Sequence, residues 1–310
     1  MFLADRLASV ADASGAWAPP PLPETLPGGD MPGDRLKIGE EHVRKATLLF
    51  PLLCRALRDL GREKAVISVF GGSGVGKSEI ASLLGWYFRS AGIGSYVLSG
   101  DNYPRRIPLY NDAERLRIFR AEGLKGLLRA GTYGPEVQAQ LDALWPDGRD
   151  ADPMMAAEAP WLGTYQAAGR EALRAYLGTE AEQDYEELNA ILRAFRRGDS
   201  PLWLKRMGRT EEARWYDAMD FREISVLLVE WTHGGNPLLE GADLRVLLHS
   251  TPEETREHRR SRGRDGKTDS AFTTMVLEIE QEELLRAAPR ADWILSKAGQ
   301  LISAEDVKGG

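Results

Sequence analysis

An α/β fold is predicted for this 310-residue chain, a parallel sheet flanked by helices with a large, mostly helical insertion. Three observations predict it. Short apolar runs without polar alternation, the pattern of strands covered on both faces, take turns with stretches of helical spacing. A glycine-rich turn joins the first such strand to the helix after it. Residues 107 to 225 are rich in Trp, Tyr and Arg, read as helical, and are far too long for a simple crossover.

Taken in order, residues 1 to 35 combine a short amphipathic start with PPPLPETLPGGDMPG, too rich in proline and glycine for a regular element. Both an ordered arm draped over the body and a flexible leader fit that composition. A helical pattern runs from Glu40 to Leu60, and Pro51 within it is expected to kink or split the helix. Val66 to Phe70 reads as a buried strand. From Ser78 onward Ile80, Leu83, Leu84 and Tyr87 recur at helical spacing. Further strands are expected at 95 to 98, 226 to 230, 244 to 249 and 292 to 295. The division that follows is an arm (1–35), a core (36–106 and 226–310) and an insertion (107–225) beside the site.

The turn after the first strand is Gly71-Gly72-Ser73-Gly74-Val75-Gly76-Lys77-Ser78-Glu79. The pattern G-x-x-x-x-G-K-S between a strand and a helix is that of a phosphate-binding loop, and makes the predicted fold one of the P-loop NTPase type. Glycines let the backbone aim its N–H groups at a polyphosphate with no Cβ in the way. The helix N-terminus adds unpaired donors and the positive end of its dipole. Lys77 would bridge the terminal phosphates of ATP, and the Ser78 hydroxyl would bind Mg²⁺.

Ligands of an open α/β sheet bind beyond the carboxyl ends of the strands. SGDNYPRR, residues 99 to 106, follows the second strand and so falls in the same crevice as the phosphate loop. Asp101 is placed to orient an acceptor hydroxyl and take its proton. Tyr103 offers a wall or a hydrogen bond, and Arg105 and Arg106 a clamp for an anionic group. Glu230 ends the most apolar strand, where a carboxylate can hold Mg²⁺ through water. His233, near a glycine turn, reads as structural. In STPEETREHRRSRGRDGKTDSAF, residues 250 to 272, Ser250 or Thr251 caps a helix that turns basic at Arg256, Arg259, Arg260, Arg262 and Arg264. Such a run before a glycine-containing segment suits a lid that brings positive charge to the transferring group and excludes water.

Composition bounds the partners. An apolar fraction of 43% and a mean hydropathy of −0.36 belong to a soluble globular protein. The formal charge of −7 speaks against nucleic acid or an anionic membrane as partner, no apolar run reaches transmembrane length, and a homodimer stays open. One cysteine, Cys54, in an apolar run, fits a reducing cytoplasm and a buried structural thiol. Asp5 and Arg6 stand where a signal peptide needs its apolar core, so no secretion is expected.

Together these pieces resemble the P-loop small-molecule kinases of the uridine kinase and phosphoribulokinase type. The resemblance rests on GGSGVGKSE, on GDNY at the end of the second strand, on VEWTHGG and on RRSRGRD. FRRGDSPLWLKRMGRT, residues 195 to 210, looks like that family's basic lead into an acceptor segment, which implies that Arg209 contacts the acceptor. The GDN triplet is also similar to adenylylsulfate kinases. Trp231 departs from the pattern, standing where the family has glycine, and the first 60 residues have no counterpart. The resemblance implies transfer of the γ-phosphoryl group of ATP to a hydroxyl of a nucleoside, sugar or polyol, with Arg264 among the catalytic groups and Arg259 and Arg262 on the nucleotide. Adenylylsulfate as acceptor, and an ATPase or nucleotide sensor with no acceptor, stay open. An Asn-Lys-x-Asp motif, which would mark a GTPase, is absent.

Overall fold

The computed structural model describes residues 3–11, 17–33, 35–251, 253–255 and 270–308. Five strands expected from the apolar runs are all present and parallel: β1 (Ala65–Gly71), β2 (Ser95–Ser99), β5 (Val226–Trp231), β6 (Leu244–Leu248) and β7 (Trp293–Leu295). They lie in the order β2-β5-β1-β6-β7, and a two-residue β8 (Leu301–Ile302) adds antiparallel to the edge. β1 and β5 are buried along their whole lengths, the reason their sequences carry no polar alternation. Because β1 sits between β5 and β6, its carboxyl end opens between two crossovers, the place where a crevice forms.

Three helices and the arm cover one face. α1 (Leu3–Ala11) buries Leu3, Leu7 and Val10 against α2 (Glu40–Leu60), and α3 (Lys77–Ser90) follows β1. α2 is one continuous helix. Pro51 does not split it, since a proline removes one N–H while Leu49, Phe50, Leu53 and Cys54 around it are all fully buried and hold both halves on the core. Gly61, at φ 63°, ends it. Cys54 is inside this layer, and burial pushes its thiol up to about 12. The proline-rich segment is laid on the body: Trp17 packs on Phe50 (4.6 Å between centroids) and Tyr87 (4.9 Å), and Trp86 Nε1 donates to the Pro21 carbonyl at 3.3 Å.

Between β2 and β5 come α4 (Pro108–Arg129), α5 (Pro135–Leu144), α6 (Met155–Glu158), α7 (Pro160–Tyr176) and α8 (Tyr185–Arg197). α4 and α7 pack closely, with Ala168 against Gly126 and Tyr165 against Gly123, and share a core with α9 (Ala271–Ala287). The segment is not helical throughout. Residues 202–219 form an antiparallel hairpin, β3 (Leu202–Met207) and β4 (Arg214–Met219), separate from the main sheet. Its buried Lys205 and Arg206 are neutralised by carboxylates from α8, β4 and the arm, partners that no local pattern announces.

Candidate active site

β1 delivers the phosphate loop and Gly76 closes it at φ 93°, so that α3 starts at Lys77 with its first N–H groups facing the loop. A Cβ on Gly76 would stand 2.7 Å from His42 Nε2, which packs behind the loop from α2. Lys77 is 8% exposed, and its ammonium donates to the Gly72 carbonyl at 3.0 Å, across the mouth of the loop. Val75 packs into the core, while Gly72 and Ser73 border a recess with Ser250, Thr251 and Gln281. Glu79 is fully buried in the first turn of α3, with Lys37 N–H at 3.5 Å and its other carboxylate oxygen 3.9 Å from where a Cβ on Gly76 would stand.

Glu230, paired in register with Val69 of β1 and Ser99 of β2, projects at the carboxyl end of β5. Its carboxylate accepts hydrogen bonds from Ser78 Oγ (3.2 Å) and Ser99 Oγ (2.5 Å). Burial pushes Glu230 up to about 8, the nearby Asp101 charge adds to the rise, and Lys77, Ser99 and Ser78 pull against it. A hydroxyl and a buried, proton-hungry carboxylate in contact fit the protein's share of a Mg²⁺ site.

Asp101 is exposed on the short 3₁₀ turn Gly100–Asn102 that ends β2. The floor of this turn is Trp231, fully buried, packed on Tyr185 (5.1 Å) and His233 (5.3 Å). Where the resemblance expects glycine after the glutamate, the chain has this indole, and the matching space is made at Gly100, whose Cβ would fall 2.1 Å from the ring. Gly100→Ala is therefore expected to shift the turn and cost about 1–3 kcal/mol of stability together with acceptor-dependent turnover, read from thermal melts and initial rates.

Opposite Asp101, helices from both sides of the sequence bring a charged cluster that sequence reading missed. Glu182, fully buried, accepts from Arg115 Nε (2.7 Å), Gly178 N–H (2.7 Å) and Asn111 Nδ2 (3.2 Å). Burial alone would raise Glu182, but Arg115, His233 and these donors outweigh it and hold the carboxyl below its usual range. Arg115 also reaches Glu280 of α9 at 3.5 Å, and burial holds Glu280 above its usual range. His233 is held below its usual value by burial, with Glu182, Arg115, Asp101 and Lys77 all in electrostatic reach. The cluster thus borders the phosphate site. Glu182→Ala leaves Arg115, Asn111 and the Gly178 N–H without their shared acceptor, and a loss of about 3–5 kcal/mol in chemical denaturation is expected. No local pattern marks Glu182, whose partners are 4 to 71 residues away.

Several predicted acceptor residues sit elsewhere. Tyr103 is fully buried in the core with Leu98, Tyr185 and Trp231, not on the wall of the crevice. Pro104 bridges to Gln183, which turns the chain and directs the apolar ring inward. Arg105 and Arg106 hold the α7–α8 connection, Arg105 on the Glu180 carbonyl (2.6 Å) and Asp184 (3.4 Å), Arg106 on Tyr176 Oη (3.0 Å) and the Ala181 carbonyl (3.3 Å), and so clamp no acceptor anion. Arg209 is exposed at the hairpin tip, which adjoins the Asp101 turn through Met207 N–H to Asn102 Oδ1 (3.0 Å). Thr251 and Glu254 make reciprocal hydrogen bonds, Thr251 N–H to Glu254 at 2.8 Å and Glu254 N–H to Thr251 Oγ1 at 3.3 Å, around a turn at residues 253–255; the helix expected to follow lies outside the described residues. Arg256, Arg259, Arg260, Arg262 and Arg264 lie outside the described residues.

No family model matches the chain. It is 38% identical over 238 residues, 77% of its length, to a bifunctional alpha-galactosidase/sucrose kinase AgaSK of Mediterraneibacter gnavus, and spans about a fifth (20%) of that protein. Among solved structures it is similar to a possible uridine kinase from Bacillus stearothermophilus (14% identical, TM-score 0.43, covering 83% of this chain and 99% of that one). It is also similar to the YGR205w protein (10% identical, TM-score 0.45, covering 86% and 98%). The parallel sheet and the glycine-rich loop at the end of β1 are those that the sequence predicts for a P-loop fold.

Proposed function

We propose that the chain is an ATP-dependent kinase that transfers the γ-phosphoryl group to a hydroxyl of a small carbohydrate. The observation that carries the reading is the placement of Asp101. It is an exposed carboxylate two residues beyond Ser99, whose hydroxyl contacts the same Glu230 that Ser78 contacts, so the turn that carries it starts at the phosphate site. The sugar class draws support from the sucrose kinase in the name of the AgaSK relative.

In this reading the loop N–H groups and Lys77 hold the β- and γ-phosphates. Mg²⁺, when bound, supplies charge neutralisation at the phosphates, with Ser78 and Glu230 on the protein side. The acceptor oxygen attacks the γ-phosphorus, the bond to the β,γ-bridging oxygen breaks, and Asp101 takes the hydroxyl proton, leaving ADP and a phosphorylated sugar. The segment 107–225 forms the acceptor side, and Arg209 reaches the acceptor from the hairpin tip; the roles that the sequence suggests for Arg259, Arg262 and Arg264 fall outside the described residues. The working compartment is the cytoplasm. Among the described residues no helix is long and apolar enough to cross a membrane.

The test is ADP release from Mg·ATP against sucrose, monosaccharides, polyols, nucleosides and adenylylsulfate. A sugar that raises turnover well above the water background supports the reading. A response to adenylylsulfate alone reassigns the acceptor, and hydrolysis indifferent to every compound makes the chain an ATPase or sensor.

A further inference from the structure

Asp30 lies in the stretch of sequence least promising for a role, between Gly29 and Met31 of the proline- and glycine-rich arm. Its carboxylate is nonetheless buried, with 6% of the side chain exposed, and collects four donors. These are Ser99 N–H (2.7 Å), Arg206 (2.8 Å), Asn102 Nδ2 (3.1 Å) and Tyr96 Oη (3.2 Å). Two of them flank Asp101: Ser99 precedes its turn and Asn102 follows it directly. The Asn102 amide is held from both sides, its nitrogen by Asp30 and its oxygen by Met207 N–H at 3.0 Å. Arg206 closes the circle, since the guanidinium that pairs with Asp30 also donates to Asp217 of β4 (3.1 Å) and to Tyr96 Oη (3.0 Å). The arm continues toward the metal-side carboxylate, where a Cβ on Gly29 would stand 3.8 Å from Glu230 Oε1.

A buried charge is tolerated when its partners are fixed in good geometry, and a carboxylate shared by a turn, a strand and a hairpin fixes them in return. The pull of Arg206 and the turn donors works against burial, which pushes Asp30 up to about 6. The rest of the turn offers little rigidity of its own: it is three residues long, begins with glycine, and leaves Asp101 exposed.

We infer that Asp30 is a positioning residue for Asp101: the N-terminal arm is a working part of the acceptor site, and its carboxylate pins the Gly100–Asn102 turn so that the base faces the phosphate loop. The inference rests on the kinase reading above and deepens it. The hydrogen bonds that Asp30 accepts come from the Asp101 turn, β2 and β3, so its substitution is expected to act on the acceptor step and leave nucleotide binding nearly unchanged.

The experiment uses the full chain with Asp30→Ala and the near-isosteric Asp30→Asn. It measures acceptor-dependent kcat, KM for the sugar that the panel identifies, and Mg·ATP affinity by calorimetry. Asp30→Ala is expected to lower kcat about 10- to 10²-fold, the scale of an ångström-level misplacement of a reacting group. Asp30→Asn, which keeps an acceptor for Ser99 N–H but loses the charge facing Arg206, is expected to fall between Ala and wild type. Mg·ATP affinity is expected to stay within twofold in both. Wild-type kcat and sugar KM in the variants, with only the melting temperature lowered, would show that the arm is mere packing and overturn the inference. So would a fall in Mg·ATP affinity that matches the fall in kcat. Absence of any acceptor-dependent turnover in the wild type would overturn the kinase reading itself, and this inference with it.

Discussion

Asp101→Asn is expected to lower acceptor-dependent turnover by about 10²- to 10⁴-fold, the range a positioned general base supplies. Asparagine keeps the size and the hydrogen-bonding oxygen but cannot take a proton, so the loss falls on the chemical step. The side chain is exposed and the turn is held by its neighbours Ser99 and Asn102, so folding is expected to be unaffected. A second consequence concerns the nucleotide. The Asp101 charge is one of the causes that raise Glu230, and its removal eases ionisation of the carboxylate beside Ser78. Mg·ATP binding is therefore expected to hold steady or tighten in the variant. Single-turnover rates and calorimetric affinities check both halves. A variant with wild-type turnover would make Asp101 a turn residue and return the chain to the ATPase or sensor reading.

Glu230→Gln is expected to reverse sign between the free and the loaded protein. Burial holds Glu230 up at about 8 in the folded chain, against 4.5 for an ordinary glutamate. A carboxyl raised in this way contributes stability that is fully present below its unfolded value and lost as pH climbs through the folded one. The free wild-type protein should therefore lose stability between about pH 4.5 and 8 through this group. Glutamine stays neutral and hydrogen-bonded, so the variant should melt higher than wild type at pH 8 and close to it at pH 5. With Mg·ATP the order inverts, since the ionised carboxylate beside Ser78 is the protein's contribution to the cation. Turnover is expected to drop by about 10²- to 10³-fold, the scale seen when one preorganised electrostatic group is removed. Melting curves at the two pH values, with and without Mg·ATP, decide it. Wild type should also release protons on binding Mg·ATP at neutral pH, visible as a buffer-dependent binding heat.

The parts of this protein legible from sequence are those whose physics is local. Val66 to Phe70 and Val226 to Val229 carry unbroken apolar runs because both faces of the central strands are covered, and the run itself announces that environment. The phosphate loop is readable because its function needs glycines, a lysine and a hydroxyl at fixed spacing on one strand-to-helix turn. Glu230 is readable as the polar end of an apolar strand, and Asp101 as the acid on the turn after β2. Pro51 misled because proline's local penalty is real but small beside the burial of the helix face around it. Tyr103, Arg105 and Arg106 misled because residue type names a capacity, while the direction of a side chain is set by how the chain leaves the strand. The hairpin was hidden by its charges: a strand reading LWLKRM looks wrong for a core until Glu187, Asp30 and Asp217 arrive to pair with it.

Periodicity, or spacing within a few residues, is enough to read off the sheet, the nucleotide loop and the two carboxylates at strand ends. The contact of Glu182 with Arg115, and that of Asp30 with Ser99 at the Asp101 turn 69 residues away, emerge from the folding of the whole chain. Buried charges must find partners wherever the chain can supply them, and the energy of pairing depends on distance in space, with no trace of it in the spacing along the chain.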